Sequence, residues 1–408
     1  MGFGSTSYGL LIASVLIINT GLHIPGYSYN HPRLNNSIAI AFMIAIFILI
    51  HGLIASLTGG LEFSFSRLII SLFILLVLFI AAFFFSDLVK RIDTKRFESV
   101  MWSVTALMII LAVAQIVKPW LAFHGFSSIH YFIAVYSEPS HYIIAFLPIY
   151  LYRFVIGTFI SRILIFGVGT YFYFALESMT FLIFLFGLFC LYIISKPKLF
   201  RLSLLILLLV IITLITLWAG DLDGLDFIQM NNFLNKVAMI LNLLVTDSLP
   251  SGNLSYISLS SLSFFADWHQ AIINLINTSG IGVGFQQNGL VGDRSYIKDI
   301  IFNHSGAFAW TIKLETFSVM PKLISEFGIF AFIFLIFYLN YFWASLIQIT
   351  NSLMIKDKDI DKKMLLINCF VACNAINIFL RGTGYFTTST FFLVVAFFYL
   401  SSLKKMDG

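Results

Sequence analysis

Leu72-Phe73-Ile74-Leu75-Leu76-Val77-Leu78-Phe79-Ile80-Ala81-Ala82-Phe83-Phe84-Phe85 decides the fold class. No polar side chain interrupts this stretch, and nothing in it alternates. A strand of a membrane barrel shows polar and apolar residues in turn over about ten positions, so the stretch reads as helix. Extended back to Arg67, it is long enough to cross a hydrocarbon layer roughly 30 Å thick.

Runs of the same kind recur along the 408-residue chain, which is 60% apolar and 11% charged, with a mean hydropathy of +0.97. Soluble domains carry about 25% charged residues, so a water-soluble globule is excluded. The pattern predicts an all-α polytopic membrane protein of about eleven transmembrane helices, with ten to twelve as the range. They are expected at Tyr8 to Ile24, Ser37 to Leu57, Arg67 to Phe85, Ser99 to Val117, Ser140 to Ile156, Ile160 to Ala175, Ser178 to Ile194, Leu202 to Ala219, Leu323 to Ile349, Met364 to Leu380 and Phe386 to Leu403. Met1 to Tyr8 lacks the basic region of a cleavable signal, so the first run is read as a retained span. Cys190, Cys369 and Cys373 fall inside apolar runs and imply no disulfide framework.

Basic residues sort the connections. Arg33, Lys90, Arg91, Lys95, Arg96, Arg153, Arg162, Lys196, Lys198, Arg201, Lys356, Lys358, Lys362, Lys363, Lys404 and Lys405 occupy one alternate set, which takes 16 of the 24 Lys and Arg. This set is predicted to face the cytoplasm, together with the C-terminus. Of the other eight, Lys236, Arg294, Lys298, Lys313 and Lys322 lie in one long segment, and long translocated loops escape the charge rule. An odd count of spans then puts the N-terminus outside.

Three regions follow: helices one to eight in residues 1–219, a large periplasmic loop in 220–322, and helices nine to eleven in 323–408. The loop carries Phe264, Phe265, Trp268, Phe302, Phe308 and Trp310 among its polar residues, so it is expected to fold. Phe227 to Leu244 and Leu262 to Ile276 have the spacing of amphipathic helices lying on the membrane surface.

Polar groups at the boundary of so apolar a chain are candidates for function. Ser137-Glu138-Pro139-Ser140-His141 opens the fifth span, with Glu138 beside the positive helix end, where a plain capping role is the alternative. Arg381-Gly382-Thr383-Gly384-Tyr385 breaks the chain between the last two spans, and a snorkelling Arg381 is the plainer reading there. The loop adds Asp293-Arg294, His304, Glu315 and Lys322, ahead of Ser325-Glu326-Phe327-Gly328 at the expected start of the ninth span. Gly280-Ile281-Gly282-Val283-Gly284-Phe285 follows no strand and is read as a tight turn, not a nucleotide cradle. Asp221-Leu222-Asp223 is too short a pattern to predict a metal. His51, inside the second span, is expected to bond to a neighbouring helix.

These motifs, taken in order, resemble those of the O-antigen polymerases (Wzy), which are similar to the O-antigen ligases and share the C-type glycosyltransferase fold. The resemblance rests on Glu138-Pro139-Ser140, Glu177-Ser178-Met179-Thr180, the large late loop, Gly282 to Phe285, Glu326 to Gly328, and Arg381 to Phe386. It departs at Arg294, which precedes Gly306 one residue beyond the arginine, ten residues, glycine spacing of some members. His304 stands 22 residues before Glu326, farther than the loop histidine of the ligases.

The resemblance implies an enzyme of the bacterial inner membrane. It moves a growing glycan from undecaprenyl pyrophosphate onto a second lipid-linked repeat unit at the periplasmic face. The donor carries its own activation, so no cofactor, metal or nucleotide is expected. Partners are the two lipid-linked oligosaccharides, membrane lipid and, as an optional protein partner, a chain-length regulator; no nucleic acid is expected. The implied roles are Arg294 and Arg381 on the pyrophosphate, Glu138 as base with His304 and Glu315 as reserves, and His141, Lys322 and Tyr385 on substrate. An O-antigen ligase acting on lipid A-core is the rival within the class. A flippase or secondary transporter needs ionisable groups along the spans, and these spans are poor in them.

Overall fold

The computed structural model describes residues 5–22, 32–59, 63–123, 139–176, 179–196, 259–290, 295–298, 318–354, 360–382 and 384–403. They form twelve helices: α1 Ser5–Leu22, α2 Pro32–Gly59, α3 Phe65–Arg91, α4 Thr94–Phe123, α5 Pro139–Ile156, α6 Phe159–Leu176, α7 Met179–Ile194, α8 Leu259–Asn277, α9 Val319–Phe327, α10 Phe330–Met354, α11 Lys362–Phe379 and α12 Thr388–Leu403. No strand occurs among the described residues. The expected spans before residue 197 each meet one helix of α1 to α7. The run Leu202 to Ala219 and the amphipathic stretch Phe227 to Leu244 lie outside the described residues.

Ala39–Leu57, Phe65–Arg91, Phe330–Met354 and Lys362–Phe379 are long and apolar enough to cross a membrane, and Ile143–Ile156, Phe159–Tyr171, Ile183–Ile194 and Thr388–Ser402 are shorter apolar helices. α3 shows why. Leu68, Leu72, Leu78 and Ala82 are buried while Ile69, Ile70 and Phe73 are exposed, so both its faces are apolar. Such a helix is stable where the outer face meets lipid. The chain is read as a membrane protein on these helices. α11 is enclosed on most sides, and Asp361 caps it by accepting from the amides of Lys363 and Met364.

Polar contacts fix the direction of the helices. Lys363 Nζ donates to the Lys90 carbonyl at 3.0 Å and to that of Ile92, and Lys362 pairs with Glu98. The Lys90 ammonium lies 5.2 Å from the centre of the Tyr399 ring. Arg153 donates to Thr105 Oγ1 at 2.9 Å and stacks on Trp102, and Arg162 donates to the carbonyls of Phe154 and Val155. The ends of α3, α5 and α12 therefore meet the starts of α4, α6 and α11. The described basic residues assigned to one set of connections gather at this end.

The opposite end holds the start of α3, the start of α5, the α11–α12 break and the segment after α8. There the glycine-rich turn predicted at 280–285 runs along α9. Val283 N donates to Ser325 O, Gly284 N to Glu326 O, and Ile329 N to Gly280 O, at 2.9, 2.9 and 2.8 Å. The ninth span expected as one helix from Leu323 to Ile349 is instead two. Gly328, at φ 57° and ψ −129°, separates α9 from α10. A Cβ at Gly328 would fall 1.9 Å from the Gly280 oxygen, so the two backbones approach in a way only glycine permits.

His51 is buried as expected, but it bonds to the turn and not to a helix. Its Nε2 lies 2.9 Å from the Ile281 carbonyl oxygen, which accepts. The expected amphipathic helix at Leu262 to Ile276 is α8.

Candidate functional site

α9 reads Val-Met-Pro-Lys-Leu-Ile-Ser-Glu-Phe, so Lys322 and Glu326 sit one turn apart on the same face. Both are buried. Lys322 Nζ stands 3.9 Å from Glu326 Oε1 and donates to Gln286 Oε1 at 3.3 Å. It also lies 5.0 Å from the centre of the Tyr385 ring, within cation–π range. Tyr385 in turn stacks on Phe285 with ring centres 5.4 Å apart. The Gly-Val-Gly-Phe turn, the Glu-Phe-Gly helix end and the Arg-Gly-x-Gly-Tyr-Phe break thus converge on one cluster.

Glu326 is fully enclosed, and neither carboxylate oxygen makes a hydrogen bond of good geometry among the described residues. The Gln286 amide and the Tyr385 hydroxyl stand close enough to favour its charge without the alignment of a full bond. Burial pushes the carboxyl above the usual range, while Lys322 and, more weakly, Arg67 pull it back. Burial and the neighbouring Glu326 push the Tyr385 hydroxyl well above its ordinary value. α9 lies outside the four helices long and apolar enough to cross a membrane, and the Tyr385 turn joins two helices at their ends.

A second polar layer holds α8 against α9. Asn274 Nδ2 donates to Ser325 Oγ at 2.6 Å, and Ser325 donates on to Asn288 Oδ1 at 2.7 Å. Gln270 donates to Asn274 at 3.1 Å and accepts from the Ser295 amide at 2.7 Å. Asp267 and Lys298 form a buried ion pair at 2.9 Å. Gln287 clamps Ser64 ahead of α3, accepting from its amide at 2.9 Å and donating to its carbonyl at 3.1 Å.

Of the residues predicted for the site, Lys322 and Tyr385 are brought together. Arg381 is half-buried at the α11–α12 break, where its amide donates to the Ile376 carbonyl at 2.8 Å. Among the described residues, Lys322 and Arg67 act on Glu326 by charge. His141 belongs to the first turn of α5, which starts at this same end of the bundle. Glu138, Arg294, His304 and Glu315 lie outside the described residues. The sequence marks Glu326 only as part of a motif and gives Arg67 and Gln286 no role. The four-residue spacing of Lys322 and Glu326 was the available signal. Among the described residues no group of three or more His, Cys, Asp or Glu is placed to hold a metal ion.

No protein-family model, no curated protein and no solved structure matches the chain. What the cluster can do follows from its chemistry. It offers a buried ammonium and a carboxyl whose pKa burial raises, at the end of the bundle opposite the main basic belt.

Proposed function

We propose that the chain is a membrane glycosyltransferase of the O-antigen polymerase type. The observation that carries this reading is the meeting of Phe285, Glu326 and Tyr385, one from each of three sequence segments on which the resemblance rests. The basic belt gathers at the opposite end, which supports a cytoplasmic belt and a periplasmic site in the inner membrane.

In this reading the donor is a glycan on undecaprenyl pyrophosphate, and the acceptor is a sugar hydroxyl of another lipid-linked repeat unit. The hydroxyl oxygen forms the new bond to the anomeric carbon as the bond from that carbon to the pyrophosphate oxygen breaks. Undecaprenyl pyrophosphate leaves with the electron pair, and the hydroxyl proton passes to the base. Arg381 and Arg294 hold the leaving group, since a guanidinium meets phosphate oxygens in pairs and stays charged beside lipid. Glu138 is the base of this reading, with His304 and Glu315 in reserve. Donors aimed at developing charge are each worth about 2.7–4 kcal/mol when removed.

The test is deletion of the gene in the source bacterium with electrophoresis of its surface polysaccharide. A polymerase leaves single repeat units on the acceptor. Long polymer retained on the lipid carrier instead assigns the chain as a ligase, and an unchanged ladder removes both readings. Polymer formation by the purified protein from lipid-linked repeat units alone completes the assignment.

A further inference from the structure

Arg153, in the last turn of α5, is held differently from the basic residues around it. Arg91 pairs with Asp87, Arg96 with Asp93 and Lys362 with Glu98. Lys363 serves the carbonyls of Lys90 and Ile92, and Arg162 those of Phe154 and Val155. Arg153 makes no ion pair among the described residues. Its Nε donates to Thr105 Oγ1 at 2.9 Å, the Trp102 indole covers one face of its guanidinium at 4.0 Å, and its Nη2 is enclosed without an acceptor. The buried hydroxyl of Tyr152, the preceding residue, makes no hydrogen bond among the described residues either. Glu98 acts on both residues by charge, but its carboxylate is already held by Lys362. The place where α4 meets α5 thus has donors in excess of acceptors around a guanidinium, an arrangement that suits an anion.

The surroundings say which anion. Trp102 is 64% exposed, and Val100 and Leu107 on the same helix are exposed as well. So are Ile160, Ile163 and Leu164 on α6, which packs against both α4 and α5. In a chain read as a membrane protein such side chains meet lipid, so the approach to Arg153 past Trp102 runs through lipid and not through water. α4 also turns from polar to apolar here, with Lys95, Arg96 and Glu98 before Val100 and Trp102. Tryptophan and arginine settle at such a boundary, the depth of the headgroup phosphates.

We propose that this cleft between α4 and α5 binds the phosphate of an anionic phospholipid in the leaflet on the side of the basic belt, with Arg153 as its anchor. The Trp102 indole, the largely exposed neighbour, turns off the guanidinium as the phosphate arrives. Nη2 then donates to a phosphate oxygen while Nε keeps its bond to Thr105 and so holds α4. The charges match: one guanidinium meets one phosphodiester, and Glu98 and Lys362 balance each other. This inference needs only the membrane reading of the chain and stands or falls apart from glycosyl transfer.

The experiment is native mass spectrometry of the full-length protein in detergent, titrated with dioleoyl phosphatidylglycerol and, separately, with dioleoyl phosphatidylcholine. Wild type should bind the first phosphatidylglycerol about five- to tenfold more tightly than the first phosphatidylcholine, the preference one basic residue confers beside an anionic headgroup. Arg153→Leu should abolish this preference, and the pair Lys95→Gln with Arg96→Gln, at the exposed start of α4, should keep it. Should Arg153→Leu fail to accumulate, tryptophan fluorescence decides. Phosphatidylglycerol with brominated acyl chains should quench wild type more than brominated phosphatidylcholine does, and Trp102→Phe should remove the difference. Equal affinity for the two lipids, a preference that survives Arg153→Leu, or the same difference in quenching in Trp102→Phe overturns the site. Displacement of phosphatidylglycerol by glycerol 3-phosphate would assign the cleft to a soluble phosphate and overturn the lipid assignment.

Discussion

Phe285 and Tyr385 stack with planes 27° from parallel, joining a turn and a helix break that are far apart in the sequence. Tyr385→Phe keeps the stack and loses the hydroxyl beside Glu326. It should leave thermal stability in detergent within about 1 kcal/mol of wild type, whereas Tyr385→Ala should cost about 3–5 kcal/mol. Equal losses in both would show that the hydroxyl, and not the ring, holds the break in place.

Glu326 should make stability depend on pH. An unfolded glutamate titrates near about pH 4.3, and burial raises the folded value above that. The fold therefore binds the extra proton, and the contribution is complete below the unfolded value. It is lost as pH rises through the folded value, at most about 1.4 kcal/mol per pH unit. Glu326→Gln should abolish this slope and melt above wild type at alkaline pH in thermal scans. A slope that survives the substitution would trace the effect to another group.

Arg381→Ala and Glu138→Ala should abolish long polymer while the protein still accumulates in the membrane, a loss of about 2–4 kcal/mol in the transition state, or roughly 30- to 1,000-fold in rate. Lys95→Gln and Lys356→Gln, from the predicted cytoplasmic connections, should leave the ladder unchanged. Normal polymer from Arg381→Ala would take that arginine out of the proposed machinery.

Asp267 and Lys298 form a buried ion pair in the layer between α8 and the following segment. Asp267→Asn strands an enclosed ammonium and should cost about 3–5 kcal/mol, while Asp267→Leu with Lys298→Met should cost less than the single change. Unfolding of Asp267→Leu, Lys298→Met and the double variant, compared in one cycle, measures the coupling. A double variant weaker than Asp267→Asn would mean that the pair is worth more than its desolvation.

Gly328→Ala should prevent the 280–285 turn from seating, because a methyl group would overlap the Gly280 carbonyl. The expected penalty is about 3 kcal/mol or more, with loss of protease resistance in the segment after α8. Wild-type resistance would show that α9 and the turn can separate without cost.

The helices were legible because their signal is composition itself, and α3 is evident from Leu72 to Phe85 alone. The break at Gly328 was not. Apolar residues on both sides of Ser325-Glu326 let the stretch from Leu323 to Ile333 pass for one helix start, and what stands against the break is the carbonyl of Gly280, a neighbour only in three dimensions. Lys322 and Tyr385 are legible because they stand in or beside motifs at predicted membrane boundaries. Arg67 was not, since an arginine at a helix start looks like an ordinary boundary residue until the 278–290 segment is folded over it. Glu326 is visible as part of a motif, but the groups beside it, Gln286 and Tyr385, come from opposite sides in sequence.

The bond from His51 to Ile281 and the clamp of Gln287 on Ser64 have a consequence for biogenesis. The first-made part of the chain supplies sockets whose plugs are synthesised more than two hundred residues later, and Tyr385, which stacks on Phe285, emerges later still. Early helices must wait in the bilayer with a histidine and a helix cap unserved, a vulnerable interval in which lipid, water or an insertion chaperone has to stand in for partners not yet translated. Ribosome-stalled chains ending before the last hairpin would hold the Lys322 and Glu326 side of the cluster without Tyr385.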